Sequence, residues 1–161
     1  MTKNNSFRHL FILLYIIFVS PLSLYAADKK SELSKGQLIY VPVYSHIYSG
    51  NKENPMLLTA TLSIRNIDPN HQVRITEVNY YATQGNLLKK YIDTPPILKP
   101  LESLRYVISQ KDKSGGSGAN FMVEWHSDEF VNPPIIESIM ISSSPHGVSF
   151  TSRGQEIFSL Q

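Results

Sequence analysis

Along most of the chain after residue 36, apolar residues recur at every second position in short segments that end at Gly, Pro, Asn or Asp. The clearest segment is 58–64, where Leu, Ala, Leu and Ile alternate with Thr, Thr and Ser. A two-residue period places one face against a core and the other in water, as in an antiparallel β-sheet. About eight such segments occur at spacings of roughly ten residues, with no helix of three turns among them. The pattern therefore predicts an all-β fold, a single antiparallel β-sandwich (immunoglobulin-like or similar) over residues 37–161.

Local signals predict where these strands turn and bend. Residues 68–70, Asp-Pro-Asn, and residues 84–86, Gln-Gly-Asn, predict tight turns, because Pro fixes φ and Gly and Asn tolerate positive φ. A slip in the apolar phase predicts a β-bulge near Thr76 and Glu77. Three prolines within residues 95–100 predict a crossing loop, since each lacks the N–H that a strand pair needs.

The first 26 residues have the layout of a secretory signal peptide. Lys3 and Arg8 precede an unbroken apolar run at 10–19, and two alanines follow at 26–27. A basic start, an apolar run of about ten residues and Ala at the cleavage point are what export and signal cleavage require. The run is short for a bilayer span, which takes roughly 20 apolar residues. We therefore expect a bacterial protein exported to the periplasm and cleaved after residue 26. The alternative is an uncleaved segment that anchors it in the inner membrane.

The segment that follows is polar, and the mature chain is close to neutral. Residues 27–36 carry several charges and almost nothing to bury, which predicts a flexible leader. Removal of residues 1–26 takes away two basic residues and no acidic one, so equal numbers of basic and acidic side chains remain. A nucleic-acid partner is therefore not expected. Membrane contact is expected only through the signal segment, if it is uncleaved.

The chain contains no Cys. Disulfides, thiolate catalysis and thiolate-bound zinc are thereby excluded, and no cofactor is expected. Stability must come from packing alone.

Three segments resemble a known bacterial family. They are residues 118–125, with Gly-Ala-Asn-Phe followed by Val and Trp at alternate positions, residues 61–66, Thr-Leu-Ser-Ile-Arg-Asn, and residues 149–154, Ser-Phe-Thr-Ser-Arg-Gly. They resemble the exported family catalogued as domain of unknown function 3124, over about residues 38–157. The resemblance implies one exported domain, and it transfers no catalytic residues because the family has no assigned activity.

Residues 114–120, Ser-Gly-Gly-Ser-Gly-Ala-Asn, are the most unusual stretch. Exposed N–H groups in such a loop can form an anion-binding nest. The stretch is not a phosphate-binding loop, which needs Gly-Lys-Ser/Thr before a helix, nor a nucleophile elbow, because Ala119 replaces the final Gly. It predicts a flexible hairpin connection. The alternative is a functional loop, whose residues would be Gly115, Gly116, Ser117, Gly118 and Asn120.

A second candidate is a stripe on the first predicted strand. Its even-numbered positions include the aromatic set Tyr40, Tyr44, His46 and Tyr48. Its odd-numbered positions, on the opposite face of a strand, include the aliphatic set Ile39, Val41, Val43 and Ile47. If the aliphatic side faces the core, the aromatic side faces outward, which is typical of partner-binding surfaces. The alternative is a strand that changes sheets at Pro42 and buries both sets in turn.

Four histidines remain after the signal segment, far apart in the sequence. Only His126 has acidic neighbours, with Glu124 two residues earlier and Asp128 two residues later. Strand residues two apart point the same way, so His126 and Glu124 are weak candidate metal ligands. The alternative is that both are ordinary surface residues. A triad of Ser117, His126 and Asp128 is not expected, because one loop and strand rarely reach that geometry.

No catalytic constellation is recognisable in the sequence. The chain is therefore predicted to be an exported, non-enzymatic module that binds a protein or peptide in the periplasm. The alternative is a protein that binds a metal or small ligand through surface histidines.

Overall fold

The computed structural model describes residues 32–48, 50, 54–143 and 147–158. The predicted signal segment, and the predicted leader up to residue 31, lie outside the described residues. All regular structure within these ranges is β-strand. None of it is a helix of the length and hydropathy needed to cross a membrane.

Twelve strands occur in the described ranges. In chain order they are β1 (Ser34–Val43), β2 (His46–Tyr48), β3 (Pro55–Leu57), β4 (Thr59–Arg65), β5 (Val73–Tyr81), β6 (Leu87–Lys90), β7 (Ile97–Leu98), β8 (Ser103–Ile108), β9 (Ala119–Val131), β10 (Ile135–Ser142), β11 (Val148–Arg153) and β12 (Gln155–Ile157). Eight of these have four residues or more, which agrees with the predicted count of about eight.

The strands form two main antiparallel sheets packed as a sandwich. One sheet has the order β12-β1-β9-β5-β6, with β7 also paired to β5, and the other has the order β11-β10-β4-β8. Strands β2 and β3 form a separate two-stranded sheet. The predicted all-β antiparallel sandwich is confirmed.

The apolar face of each long strand lines a core between the two sheets. In β4 the side chains of Ala60, Leu62 and Ile64 are fully buried, and in β9 so are those of Phe121 and Trp125. Fully burying a large aliphatic or aromatic side chain contributes about 1.5–3 kcal/mol. The two-residue period read from the sequence is therefore the source of the core.

The predicted bend and turn in β5 are confirmed. The register of β5 against β9 shifts between Ile75 and Glu77, where the bulge was expected. At the end of β5, Gly85 has a φ of 81° and the Ala82 N–H donates to the Asn86 carbonyl at 2.9 Å, which closes the hairpin to β6.

The sandwich begins three residues before the predicted boundary at 37. Strand β1 starts at Ser34, which pairs with Val131, and Gly36 pairs with His126. A Cβ at Gly36 would lie 2.6 Å from His126 Nδ1. The two strands can therefore pair this closely only because glycine has no side chain. Residues 34–36, predicted as flexible leader, thus belong to the sheet.

Strand β12 was not predicted from the sequence. Gly154 explains how this strand forms. The chain leaves β11 in one sheet and enters β12 in the other with a single residue between them. The Gly154 N–H donates to the Ile136 carbonyl at 2.8 Å. A Cβ on Gly154 would lie 2.5 Å from Ile39 Cγ2, so only glycine fits this corner between the sheets.

Candidate functional site

Strand β9 carries a wide bulge near its C-terminal end. Its register against β1 moves from His126 opposite Gly36 to Val131 opposite Ser34, so residues 127–130 all oppose Lys35. The Lys35 ammonium donates to the Asp128 carbonyl at 2.7 Å and lies 5.1 Å from the centre of the Phe130 ring. Bulges redirect side chains and often lie beside functional sites.

Buried Asp68 fixes the loop that faces this bulge. Its Oδ1 accepts the main-chain N–H groups of Asn70 and His71, both at 2.9 Å. Its Oδ2 accepts the main-chain N–H of Asn132 at 3.0 Å and the side-chain amide of Asn132 at 3.1 Å. The Asn132 and Asn70 N–H groups, more than any other cause, hold the pKa of Asp68 well below its ordinary value. One carboxylate thus joins the β4–β5 loop to the β9–β10 loop.

Buried Asn66 ties a third segment to the same end of the sandwich. Its side-chain amide donates to the carbonyl oxygens of His71 at 2.8 Å, Leu98 at 3.2 Å and Lys99 at 3.0 Å. Its Oδ1 accepts the Asp68 N–H at 3.0 Å. The crossing loop predicted from the prolines is therefore held against the β4–β5 turn.

Two of these segments, the β4–β5 loop and the crossing loop, border a cleft of about 340 Å³ together with the bulge, and we call it the polar cleft. Its lining residues are Asn70, His71, Gln72, Pro100, Ser127, Asp128 and Glu129. A smaller hollow of about 40 Å³ adjoins it and is lined by Gln72, Arg74, Ile97, His126, Ser127 and Asp128. The larger volume falls within the range of small-ligand sites.

The histidine of the polar cleft has a defined orientation. His71 Nδ1 lies 3.1 Å from Asp68 Oδ1, and the imidazole is 44% exposed. Because the carboxylate can only accept, Nδ1 carries the proton in this contact and Nε2 is left as the accepting nitrogen of the neutral ring. The contact with buried Asp68 thereby sets the tautomer of the neutral His71 ring.

Exposed apolar residues occur in the segments that form the polar cleft. We call Ile67, Ile97, Leu101 and Phe130 the apolar rim, since each lines the smaller hollow or lies in a segment that borders the cleft. Leu101, next to the lining residue Pro100, is 69% exposed and has a φ of 62°. Few non-glycine residues adopt that backbone conformation. The turn is held by the Glu102 N–H, which donates to the Lys99 carbonyl at 3.0 Å.

The two weak candidates for metal ligands lie next to each other. His126 Nε2 lies 3.5 Å from Glu124 Oε1, and Glu124 Oε2 also accepts the Thr76 hydroxyl at 2.7 Å. His126 lines the smaller hollow, and His71 lines the polar cleft beside it. Across the described ranges, no group of three or more His, Asp or Glu side chains could hold a metal ion. His46 lies at the opposite end of the sandwich, and His146 lies outside the described residues.

The aromatic stripe does not form one exposed surface. The aliphatic residues of β1, Ile39, Val41 and Val43, are buried, and Tyr40 is half-buried on the outer face. Strand β1 ends at Val43, so Tyr44 packs against the core, with its ring centre 5.8 Å from that of Phe150. Strand β1 stays paired with β9 to its end, so the predicted alternative is wrong about a change of sheets at Pro42, although Tyr44 of the aromatic set does pack against the core.

The remaining two stripe residues lie on β2. The rings of His46 and Tyr48 meet edge to face with centres 5.3 Å apart, and His46 Nε2 lies 3.3 Å from Tyr48 Oη. Tyr48 is exposed, whereas His46 is half-buried. The four residues of the stripe therefore have three different environments.

The glycine-rich stretch is not a hairpin connection, because β8 and β9 belong to different sheets. Its loop packs tightly on the sandwich. The Gly115 carbonyl accepts the Thr83 N–H at 2.8 Å, and the Gly118 N–H donates to Thr83 Oγ1 at 2.9 Å. The Gly116 N–H donates to Ser45 Oγ at 2.9 Å. Two N–H groups that an anion nest would use are thus already bonded to hydroxyls.

The loop candidates and His126 are also far apart. Asn120 lies at the start of β9 and Ser117 lies two residues before the strand begins, whereas His126 lies seven positions beyond Ala119 on the same strand. At about 3.3 Å per strand residue, the seven steps from Ala119 to His126 span roughly 23 Å, and Ser117 lies before Ala119 in the chain. As expected, Ser117 does not meet His126 and Asp128 in a triad.

Asn66, Asp68 and His71, which build and orient the polar cleft, were not among the sequence candidates. The signal for them was present in the Asp-Pro-Asn turn, where side-chain oxygens were expected to bond nearby main chain. That signal could not predict the bonds from Asn132, because Asn132 lies 64 residues from Asp68 in the sequence.

Together, the fold and the cleft define a single antiparallel β-sandwich module with a polar, ligand-sized cleft at one end. Residues 36–157 match the family described as protein of unknown function (DUF3124). The chain belongs to that family, as the resemblance implied.

One solved structure is similar in part. The crystal structure of Thermotoga maritima 1070 matches with 12% sequence identity and a TM-score of 0.43, over 76% of this chain and 96% of that chain. No curated protein sequence matched.

Proposed function

We propose that this chain is an exported, non-enzymatic module that binds a protein or peptide partner at the polar cleft and apolar rim. The observation that carries the proposal is a cleft of about 340 Å³ whose lining segments also contain exposed apolar residues. Apolar anchors beside specific polar groups are what partner-binding surfaces use for affinity and orientation. Export is supported by the signal layout of residues 1–26.

The support beneath the cleft also favours binding. Asp68 and Asn66 bond main-chain groups of three segments, so the lining residues are held in place before a partner arrives. A pre-ordered site loses less conformational entropy on binding than a mobile one. This end of the sandwich therefore suits recognition better than an unsupported set of loops would.

Site-specific cross-linking in the bacterium that makes the protein tests the proposed surface. A photoreactive phenylalanine at Leu101 is expected to give a discrete adduct with a partner. The matched control is the same group at Val107, an exposed residue of β8 in the other sheet. Absence of an adduct at Leu101, or the same adduct at both positions, would count against the proposal.

The mass of the protein recovered from cells tests export separately. Cleavage after residue 26 gives a chain that begins at Ala27, found in the periplasmic fraction. An uncleaved chain in the membrane fraction would support the inner-membrane anchor instead.

A metal or small-ligand function is the second candidate, because His126 lies 3.5 Å from Glu124 and near the hollow that adjoins His71. Elemental analysis of protein purified without an affinity tag decides it. A stoichiometric metal that is lost on His126→Ala would favour this candidate over partner binding. If the purified protein contains no metal, the metal-binding version of this second candidate is excluded.

A further inference from the structure

The four-stranded sheet exposes apolar residues on the side that points away from the core. Along its strands, core-facing residues alternate with residues that point outward, and we call the second set the outer face. On this face Val107 is 52% exposed and Ile141 is 51% exposed. Ile139 pairs with Thr61, which in turn pairs with Val107, so these residues are neighbours. Exposed apolar residues that are grouped, and not scattered singly, mark interaction surfaces.

The adjacent part of the outer face carries arginines at defined positions. Ser63 pairs with Arg105 on one side and with Glu137 on the other, and Glu137 pairs with Arg153. These four residues therefore lie side by side across the four strands, and we call them the basic row. At about 4.8 Å between neighbouring strands, its two arginines start about 14 Å apart. Arg65 lies on the same face, since its Nε donates to Ser63 Oγ at 3.1 Å.

The outer face has a surplus of positive charge. Glu137, whose side chain is 21% exposed, forms a salt bridge with Arg65 at 3.6 Å. Among the described residues, Arg105 and Arg153 form no salt bridge, and both are exposed. Three arginines and one glutamate are the charged residues at the outward positions of these four strands, which gives a net charge of +2. The two unpaired guanidinium groups are available to an acidic ligand.

The charges of the outer face favour an acidic protein segment over other occupants. A second copy of this chain would place one positive face against another, which repels. A continuous polyanion or an anionic membrane would bring negative charge onto Glu137, which lies between the two arginines of the basic row. Separate carboxylates on a protein avoid Glu137, and each can accept two parallel N–H bonds from a guanidinium group.

We propose that the outer face of the four-stranded sheet docks an acidic segment of a partner protein. Arg105 and Arg153 bind Asp or Glu side chains of the segment, and Val107, Ile139 and Ile141 pack against apolar side chains beside them. None of these residues lines the polar cleft, so the inference does not depend on the function proposed there. Because the arginines are exposed, binding weakens as salt is added.

The test uses the full protein, two altered forms of the outer face and a matched control. The double variant Arg105→Gln with Arg153→Gln removes the two unpaired charges, and Ile141→Thr removes apolar surface while keeping a β-branched side chain. The control is Lys90→Gln, which removes an exposed positive charge from β6 in the other sheet. All the altered side chains are exposed, and equal melting temperatures confirm that the variants fold.

The probe is the peptide Glu-Val-Ile-Val-Glu with capped ends, located by NMR chemical shifts of the labelled protein. Its two Glu residues are about 13 Å apart when the peptide is extended, which matches the spacing of Arg105 and Arg153. Shifts are expected at residues 105–107, 137–141 and 151–153. Affinity should be roughly fivefold lower in the double variant, lower also in Ile141→Thr, and unchanged in Lys90→Gln.

The matching peptide with Lys in place of both Glu residues is expected to cause no shifts at the outer face. Equal binding of the two peptides, no shifts with the Glu peptide, or equal affinity in the double variant and in Lys90→Gln would each overturn the inference.

Two further measurements test the other occupants. A dimer of the unaltered protein in sedimentation that the double variant dissociates would assign the outer face to a second copy. Binding to vesicles of phosphatidylglycerol that the double variant loses would assign it to a membrane. Either result overturns the inference, and we expect neither.

Cross-linking in cells keeps the outer face separate from the polar cleft. An adduct formed from Val107 is expected to differ in mass from the adduct formed from Leu101, and to be lost in the double variant. A Val107 adduct that persists in the double variant would overturn the acidic segment and would leave the function proposed for the polar cleft as it stands.

Discussion

At both ends of the sandwich, side chains hydrogen-bond to the main chain of the loops, but one end is closely packed and the other contains a cleft. At one end, Ser45 and Thr83 bond the main chain of the glycine-rich loop, and at the other, Asn66 and Asp68 bond the main chain of three segments. The glycine-rich loop lies directly on the sandwich. The Asp68 end keeps a cleft of about 340 Å³.

The two ends differ in packing because the glycine-rich loop has few side chains, whereas every residue of the β9 bulge has one. A Cβ on Gly115 would lie 1.9 Å from Tyr80 Oη, so this loop closes onto the core because it has no side chain there. In the β9 bulge, residues 127–130 all carry side chains, and Ser127, Asp128 and Glu129 line the polar cleft. An unusual composition therefore marks close packing in this protein, while the candidate binding surface is made of ordinary polar residues.

The largest expected effect is at the Asp68 end. Asp68→Ala removes the acceptor of five hydrogen bonds and leaves N–H groups of Asn70, His71 and Asn132 without it. We expect it to lower the melting temperature more than any other variant described here, and to disorder the polar cleft. Thermal unfolding measures this, with Asp93→Asn as the control because Asp93 is exposed and lies outside the cleft lining. A melting temperature equal to that of the control would show that Asp68 does not hold these segments together.

The same carboxylate makes this end sensitive to acid. The folded pKa of Asp68 lies below its ordinary value of 3.8, so its contribution to stability is present above pH 3.8 and is lost as the pH falls below it. Asp68→Asn is expected to flatten the acid side of the stability profile. Unchanged acid dependence in this variant would show that another carboxylate is responsible.

The next largest effect is expected at the closed end. Gly115→Ala places a methyl group against Tyr80 and Ala119, and overpacking of this kind costs about 1–3 kcal/mol. Chemical denaturation measures the loss. In a Tyr80→Phe background the nearest atom is removed, so the same substitution should cost less. An equal cost in both backgrounds would mean that Tyr80 Oη is not the obstacle.

A smaller effect is expected from Thr83. Its hydroxyl donates to the Gly115 carbonyl at 2.9 Å and accepts the Gly118 N–H at 2.9 Å. Thr83→Ala should cost about 1–2 kcal/mol, whereas Thr83→Ser keeps the hydroxyl and should cost less. Similar losses in the two variants would assign the effect to the methyl group.

The smallest effect concerns the Tyr80 hydroxyl. Its Oη has no hydrogen-bond partner in the described ranges, so Tyr80→Phe should change stability by less than about 1 kcal/mol at neutral pH. Burial, with a lesser contribution from Asp112, raises the pKa of Tyr80 to about 12. Its contribution to stability is therefore present below pH 10 and is lost between pH 10 and pH 12.

Urea titrations at pH 9 to 12 check this alkaline loss. It should be smaller in Tyr80→Phe, and part should remain because burial also raises the pKa of Tyr91 and Tyr106. An identical alkaline loss in the variant would exclude Tyr80 as a source.

Strand identity, the β5 bulge and the hairpin at Gly85 could be predicted from sequence because each depends on residues close together in the chain. The alternation of apolar and polar residues along 58–64 predicts which side of the strand faces the core, and a shift in that alternation predicts a bulge. The family resemblance also followed from short segments. These are local properties, and the described structure agrees with them.

The polar cleft could not be predicted because it depends on segments that meet only in three dimensions. Asp68 bonds Asn132 across 64 residues, and the bulge at 127–130 exists because of its pairing with β1. The same holds for the loop at Gly115, whose neighbour Tyr80 is distant in sequence. A hydrogen bond or a close contact is a property of two positions, so periodicity along one chain predicts the strands, while only their packing determines which polar groups share a site.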